Sequence, residues 1–207
     1  LKSSYSLSEN EKLSVTYCGV DPSLFTYNDK LAKYTREKYG LSDNPTILFV
    51  GRIVPEKGLH ILIRAYQLVC KKIPNIRLVI VGPFRTSGQV SPYAANVIKK
   101  CSNGIAFIGP SPHEELVALY CAADVFVNPT IIPEAFGMVN IEAMACEKPV
   151  IATRIGAIPE VVDDGKTGVL VPPRQPKALA HAILSLLENP SNMRDIGIAG
   201  RRKEIEY

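Results

Sequence analysis

The chain has 207 residues, 46% of them hydrophobic and 21% charged, with 24 Lys and Arg against 20 Asp and Glu for a net charge of +4. That length suits one domain, or one domain with part of another, and the composition can bury a core without any long disordered stretch. The small net charge does not mark a nucleic-acid binder, which gathers Lys and Arg on one face, and neither a run of about 18 apolar residues nor a basic-apolar-small leader is present.

Residues 1 to about 40 are polar and rich in Tyr and Ser, with a turn-like GVDPS at 19–23 and a short helix expected near 29–39. They read as a linker. From about residue 46, short β-rich runs alternate with segments of helical period, the pattern of β-α units around a parallel sheet. The strand candidates are TILFVGR (46–52), RLVIVGP (77–83), GIAFIGP (104–110), DVFVNPT (124–130), PVIATRIG (149–156) and GVLVP (168–172). Such near-continuous apolar runs fit strands covered on both faces.

Between them, Leu59, Leu62, Ala65, Tyr66 and Val69 share one face of a helix, opposite His60, Arg64, Gln67 and Lys71. A second helix carries the capping-box spacing Ser111 to Glu114, Pro112 at its first position, and Leu116, Leu119 and Tyr120 on its buried stripe. A third runs from about Pro176 to Glu188 with Leu179, Ala182, Ile183 and Leu186 inward, and stops at Asn189-Pro190. The five cysteines, Cys18, Cys70, Cys101, Cys121 and Cys146, are odd in number and lack CxxC or metal-ligand spacing. They read as reduced, mostly buried thiols and point to a cytoplasmic setting.

In an open parallel sheet, ligands sit beyond the carboxyl ends of the strands, where helix N-termini present unpaired N–H groups. Two stretches qualify. GRIVPEKG (51–58) puts Arg52 and Lys57 in one strand-to-helix loop, with Gly58 before the helix. This is either a solvated basic turn or a diphosphate-sized anion site, where side-chain charge and helix dipole share a sign. Neither GxxxxGK[ST] nor GxGxxG occurs, so ordinary ATPase and dehydrogenase readings lack support.

The second stretch is PEAFGMVNIEAM (133–144), with Glu134 and Glu142 eight residues apart. A helix beginning near Ala135 or Phe136 places the N–H groups of Phe136, Gly137 and Met138 in its first turn and separates the two acids by about 12 Å and roughly 80°. They therefore grip different parts of one long ligand and do not form a dyad. Carboxylates accept paired hydrogen bonds from a vicinal diol, so ribose, diphosphate and sugar fit in sequence. The bland alternative for Glu134 is an acid favoured by the helix dipole. Glu142, among Val139, Ile141, Ala143, Met144 and Ala145, needs a partner if it is buried.

GRIVPEKG, FIGPSPHEELVALYCAADVFVNPT and PEAFGMVNIEAMACEKPVIATRIGAIPEVVDDGKTGVLVPP resemble the C-terminal, nucleotide-sugar-binding domain of the retaining GT-B glycosyltransferases of family four, over roughly residues 46–190. The resemblance implies an α/β fold, a Rossmann-like parallel sheet of about six strands with helices on both faces. It implies that Arg52 and Lys57 bind the donor diphosphate and stabilise the leaving nucleoside diphosphate. Glu134 would contact the donor sugar, Glu142 the ribose, and the backbone of Phe136, Gly137, Met138 and Val139 the phosphates. The base would lie against Ile108 and Gly109, with Leu116 nearby. Arg52, Lys57 and Glu134 are thus the catalytic candidates, with Glu134 not assumed to be a covalent nucleophile, since retention in this family is usually ascribed to front-face return. The donor would be a nucleoside-diphosphate sugar, with UDP placed first and GDP or ADP as alternatives; no cofactor, metal or nucleic acid is expected, and the acceptor (glycan, lipid or small molecule) stays open.

LSVTYCGVDPSLF (13–25) resembles the hand-over from the family's first domain, so residues 1–42 are assigned to a linker and the end of that domain, and 43–207 to the nucleotide-sugar-binding domain. The acceptor domain would precede Leu1 and a crossing-back helix would follow Tyr207, leaving this piece inactive by itself; the full-length protein would be cytoplasmic, or peripheral at a membrane. The chain departs from the family pattern at Gly156-Ala157, where a Gly pair is common, and at Glu147, a helix-end position often occupied by Gly. Glu160 reads as structural, and His60, His113 and His181 as helix-surface residues. Two other readings remain: a sugar-nucleotide epimerase or phosphorylase of the same architecture, and a structural protein that keeps the fold without turnover.

Overall fold

The structure is a computed structural model that describes residues 18–86, 89–99 and 104–206. The head up to residue 17, with the start of the hand-over segment, and Cys101 lie outside the described residues. All six expected strands form: β1 (Thr46–Val50), β2 (Arg77–Val81), β5 (Ile105–Gly109), β6 (Val125–Asn128), β7 (Val150–Thr153) and β8 (Gly168–Val171). They pair in parallel in the order β5-β2-β1-β6-β7-β8. A two-stranded hairpin, β3 (Arg85–Thr86) with β4 (Gln89–Val90), stands apart from this sheet and has no counterpart in the sequence pattern.

The apolar runs are continuous because successive side chains enter two different cores. Leu48, Val79, Phe126, Val150 and Leu170 face one, covered by α1 (Asp29–Lys38), α4 (His113–Ala122) and α5 (Met138–Ala145). Ile47, Phe49, Leu78, Ile80, Val127 and Ile151 face the other, covered by α2 (Leu59–Val69), α3 (Pro92–Lys99) and α7 (Pro176–Leu187). The short α6 (Ile158–Val161) follows β7, and α8 (Pro190–Glu206) packs against α5 and α7. The stripe chosen for α2 is buried, and so are Leu179, Ala182, Ile183 and Leu186 of α7.

Two local expectations change. The linker expected up to residue 42 is packed from Phe25 onward: Phe25, Ala32, Thr35 and Leu41 are buried. Polar composition hid this because only a few apolar side chains, Phe25, Ala32 and Leu41, carry the packing, and Arg36 adds hydrogen bonds to backbone. Arg36 on α1 donates to the carbonyls of Ser42, Ala122 and Asn44 at 2.8, 2.6 and 2.7 Å. The capping box at Ser111 does not form either, because α4 starts one residue later, with Pro112 as its N-cap and no side-chain cap bond. Pro supplies no N–H and holds an extended φ of -65° and ψ of 163°, which delays the first turn. Among the described cysteines, Cys121 and Cys146 are buried, Cys70 is half-buried and Cys18 exposed, all as free thiols.

A candidate nucleotide-sugar site at the divergence of β1 and β6

Chain order reverses direction between β1 and β6, which lie side by side in the sheet although β6 comes fourth in the main-sheet sequence. Helices leaving the two strands diverge there and open a crevice. Past β1 the chain runs through Arg52 to a 3-10 turn, Pro55–Lys57, and into α2. Past β6 it makes an irregular loop over residues 129–137 before α5. The two connections are sewn together. The Glu56 carbonyl accepts from Ile131 N at 2.9 Å and from Thr130 Oγ1 at 3.1 Å, while Thr153 Oγ1 at the end of β7 donates to the Thr130 carbonyl at 2.7 Å.

This stitching brings Lys57 and Glu134 into contact although they are 77 residues apart: Nζ lies 2.6 Å from Oε1, with the side chains 26% and 10% exposed. The Glu134 backbone is clamped from behind, since Ala157 N donates to its carbonyl at 3.1 Å. At Gly156, with φ of +60°, a Cβ would lie 2.7 Å from both the N and the O of Glu134. The first position of the Gly-Ala pair is therefore the one that needs to be Gly, and Ala157 at φ -84° is unstrained.

The start of α5 corrects the sequence reading. The helix begins at Met138, not at Ala135 or Phe136, because Gly137 adopts a left-handed φ of +81° and ψ of 55° that no helix interior accepts. The free N–H groups of the first turn are those of Met138 and Val139, since Asn140 N already donates to the Gly137 carbonyl at 2.9 Å. Phe136 and Gly137 precede the helix. Glu134 lies in the loop, so the helical spacing of about 12 Å does not relate it to Glu142.

Glu142 sits inside α5 and is half-buried, and its desolvation raises its pKa above the ordinary carboxylate value. Its partner is Tyr120 of α4, a fully buried residue whose hydroxyl donates to Glu142 Oε2 at 2.8 Å and lies 3.2 Å from the Val139 carbonyl. Burial first, and the adjacent carboxylate second, push the Tyr120 hydroxyl well above its ordinary pKa, so it stays a donor. Tyr120 reads in the sequence only as part of a buried stripe. The available signal was that a buried Tyr seeks a partner for its hydroxyl.

A second feature absent from the sequence reading is a pair of buried amides, in which Asn128 Nδ2 at the end of β6 donates to Asn140 Oδ1 at 3.2 Å. Arg52 is exposed on the same loop as Lys57. Gly109 ends β5 at the sheet edge and is tied to the crevice side through Gly82 N, which donates to its carbonyl at 2.8 Å. Ile108 is half-buried beside it and Leu116 is buried on α4. The structure thus joins Lys57 to Glu134 directly, keeps Glu142 apart on its own Tyr120 brace, and leaves the Ile108-Gly109 corner two strands from β1. His113 and His181 are exposed, whereas His60 is half-buried with Nδ1 2.8 Å from the Tyr93 hydroxyl.

Chemically, the loops after β1 and β6 bring one cation, Lys57, and one carboxylate, Glu134, together at the turn before α5, with the exposed Arg52 on the Lys57 loop. The model of the family described as glycosyl transferases group 1 matches residues 33–203. The chain is 37% identical over 199 residues to a GDP-mannose-dependent alpha-(1-6)-phosphatidylinositol monomannoside mannosyltransferase of Mycolicibacterium smegmatis, covering 91% of this chain and 50% of that protein. It is also 37% identical to a D-inositol 3-phosphate glycosyltransferase of Mycobacteroides abscessus, covering 85% of this chain and 39% of that one. It therefore spans about half the length, or less, of these curated relatives. Among solved structures, Anabaena HepE in complex with UDP superposes with a TM-score of 0.86 at 27% identity, over 93% of this chain and 52% of that one. The C-terminal domain of a glycosyl transferase group 1 protein from Francisella tularensis matches with a TM-score of 0.75 at 27% identity, over 91% of this chain and 97% of that domain. With the parallel sheet, the crevice and the matched span in agreement, the chain belongs to the glycosyl transferases group 1 family, with the fold of its GT-B members.

Proposed function

We propose that this chain is the donor-binding half of a retaining GT-B glycosyltransferase of family four, which moves a hexosyl group from a nucleoside-diphosphate sugar to an acceptor. The observation that carries the reading is the 2.6 Å Lys57–Glu134 contact beside the N-terminus of α5, a charge pair positioned to exchange one another for the two ends of a sugar diphosphate. In this reading Lys57, Arg52 and the Met138 and Val139 N–H groups hold the diphosphate and stabilise the charge that grows on it as the glycosidic bond breaks. Phe136 and Gly137 line the turn before the helix. Glu134 takes the sugar hydroxyls and Glu142, held by Tyr120, the ribose. The base lies against Ile108 and Gly109, with Leu116 behind.

Charge neutralisation is assigned to Arg52, Lys57 and the helix N-terminus, with no role given to a metal or cofactor. UDP and GDP are the leading donor nucleotides, supported respectively by the UDP bound to HepE and by the GDP-mannose dependence in the name of the mycobacterial relative. The acceptor, a glycan, lipid or small molecule, is assigned to a preceding domain of the same chain, in keeping with the greater length of the relatives. Titration of the chain with UDP, GDP and ADP by calorimetry tests the reading. Saturable binding by at least one of them is the expected result, and no binding in the millimolar range overturns it.

A further inference from the structure

Asn140, in the first turn of α5, is fully buried, yet its side-chain Nδ2 has no hydrogen-bond partner among the described residues. Buried amide N–H groups are rarely left so, because the lost hydration is not returned. The orientation is set from the other side, where Asn128 Nδ2 donates to Asn140 Oδ1 at 3.2 Å and so directs the Asn140 NH2 away from β6. It faces the Gly137 turn: the position a Cβ would occupy on Gly137 is 2.7 Å from Asn140 Nδ2 and 3.3 Å from Glu134 Oε2. The unpaired donor and the second oxygen of the site carboxylate thus flank the same point, while the first oxygen is held by Lys57 at 2.6 Å. Gly137 keeps the gap open.

We propose that Asn140, braced by Asn128, is a positioning residue for Glu134, whose carboxylate it receives through Nδ2 when a diphosphate draws Lys57 away. The inference rests on the nucleotide-sugar reading of the site. Lys57 orients Glu134 in the structure; once a diphosphate binds, Lys57 belongs to the ligand, and a carboxylate without another anchor would swing toward solvent or against the phosphates. Asn140 supplies that anchor and keeps Glu134 facing the sugar. An Asp at this position would keep the shape and the acceptor toward Asn128 while replacing the donor by a like charge.

The test measures affinities of the chain for UDP and UDP-glucose, and for GDP and GDP-mannose, in wild type, Asn140→Asp and Asn140→Leu, with a cooperative melt as the folding check. Asn140→Leu keeps the branched heavy-atom skeleton without burying a charge. Asn140→Leu is expected to hold the free diphosphate within about twofold of wild type and to lose about tenfold in affinity for the nucleotide sugar, the size of one hydrogen bond to a charged group, whereas Asn140→Asp, which adds a negative charge in the first turn of α5, should lose at least as much for the sugar nucleotide. In a Glu134→Ala background the Asn140→Leu effect on the sugar ligand should vanish. An equal loss for diphosphate and sugar nucleotide in folded Asn140→Leu, or an effect that survives in Glu134→Ala, makes Asn140 a structural residue only and overturns the proposal. If wild type binds no nucleotide, the site reading itself falls and the proposal with it; if wild type binds and the variants match it for every ligand, Asn140 alone is refuted.

Discussion

In the structure Lys57 is already occupied: a diphosphate that binds it must first displace Glu134. The side chains are 26% and 10% exposed, so the pair stands between a surface ion pair, worth less than about 1 kcal/mol, and a buried charge-assisted hydrogen bond, worth about 1.5 to 3 kcal/mol. Glu134→Gln removes the competing charge but leaves an amide oxygen that still accepts from Lys57. The gain therefore falls between the two, about 1.4 kcal/mol, or roughly tenfold in affinity for a free nucleoside diphosphate. Lys57→Ala acts in the opposite direction and costs about tenfold or more. Calorimetry with UDP and GDP at one fixed ionic strength reads both variants. Glu134→Gln should bind the diphosphate more tightly than wild type and lose preference for the corresponding sugar nucleotide. If it weakens diphosphate binding as Lys57→Ala does, Glu134 is not a competitor for the cation, and the exchange described here is wrong.

Tyr120→Phe removes the hydroxyl that holds Glu142 at 2.8 Å and should cost about 1.5 to 3 kcal/mol at pH 7.5, read as a lowered urea midpoint. Because burial raises the folded-state pKa of Glu142 above 4.5, its ionised form is penalised, and its contribution to stability falls as pH rises through that raised value. The Tyr120 bond offsets the penalty, so the cost of Tyr120→Phe should shrink once Glu142 is protonated; an equal cost at pH 7.5 and at pH 4, below the ordinary carboxylate value, would show that the bond gains nothing from the charge. At the C-terminus of α5, Glu147 holds a left-handed φ of 58°, with its N–H on the Met144 carbonyl and the Lys148 N–H on the Ala143 carbonyl, both at 2.9 Å. This helix-ending motif favours Gly, and the Arg201 contact at 3.9 Å loses little, so Glu147→Gly should stabilise by about 1 kcal/mol, or about 2–4 °C in Tm. A lower Tm would show that the Glu147 side chain matters more than its backbone. Gly156→Ala forces a Cβ to 2.7 Å from the Glu134 backbone, and should lower both Tm and nucleotide affinity; unchanged binding would mean that the clamp behind Glu134 is dispensable.

The six strands and the two-sided burial were legible because a parallel sheet covered on both faces writes itself as short apolar runs separated by helical period, a local signal. Arg52, Lys57, Glu134 and Glu142 stood out as candidates for a related reason: each lies in a stretch whose pattern of Gly, Pro and charge marks a strand-to-helix passage. The packed stretch from Phe25 to Leu41 was not legible, since only a few apolar residues among many polar ones carry its packing, and the Arg36 bond to the Ala122 carbonyl spans 86 residues. The first turn of α5 was misplaced because a Gly can continue a helix or stop one, and only the clash its Cβ would make with Asn140 Nδ2 and its left-handed φ show that it stops here.

The sequence by itself determined the fold class, the strand positions and the residue types that could meet a sugar diphosphate, because these depend on periodicity and on chemistry within a few residues. Tertiary structure decided who touches whom. That Lys57 neutralises Glu134 across 77 residues, that Tyr120 and not another donor holds Glu142, and that the Asn140 amide is left open beneath the Gly137 turn all follow from β6 lying beside β1 and α4 beside α5. Those neighbourhoods are set by burying apolar faces far apart in the chain, and no spacing within one segment records them.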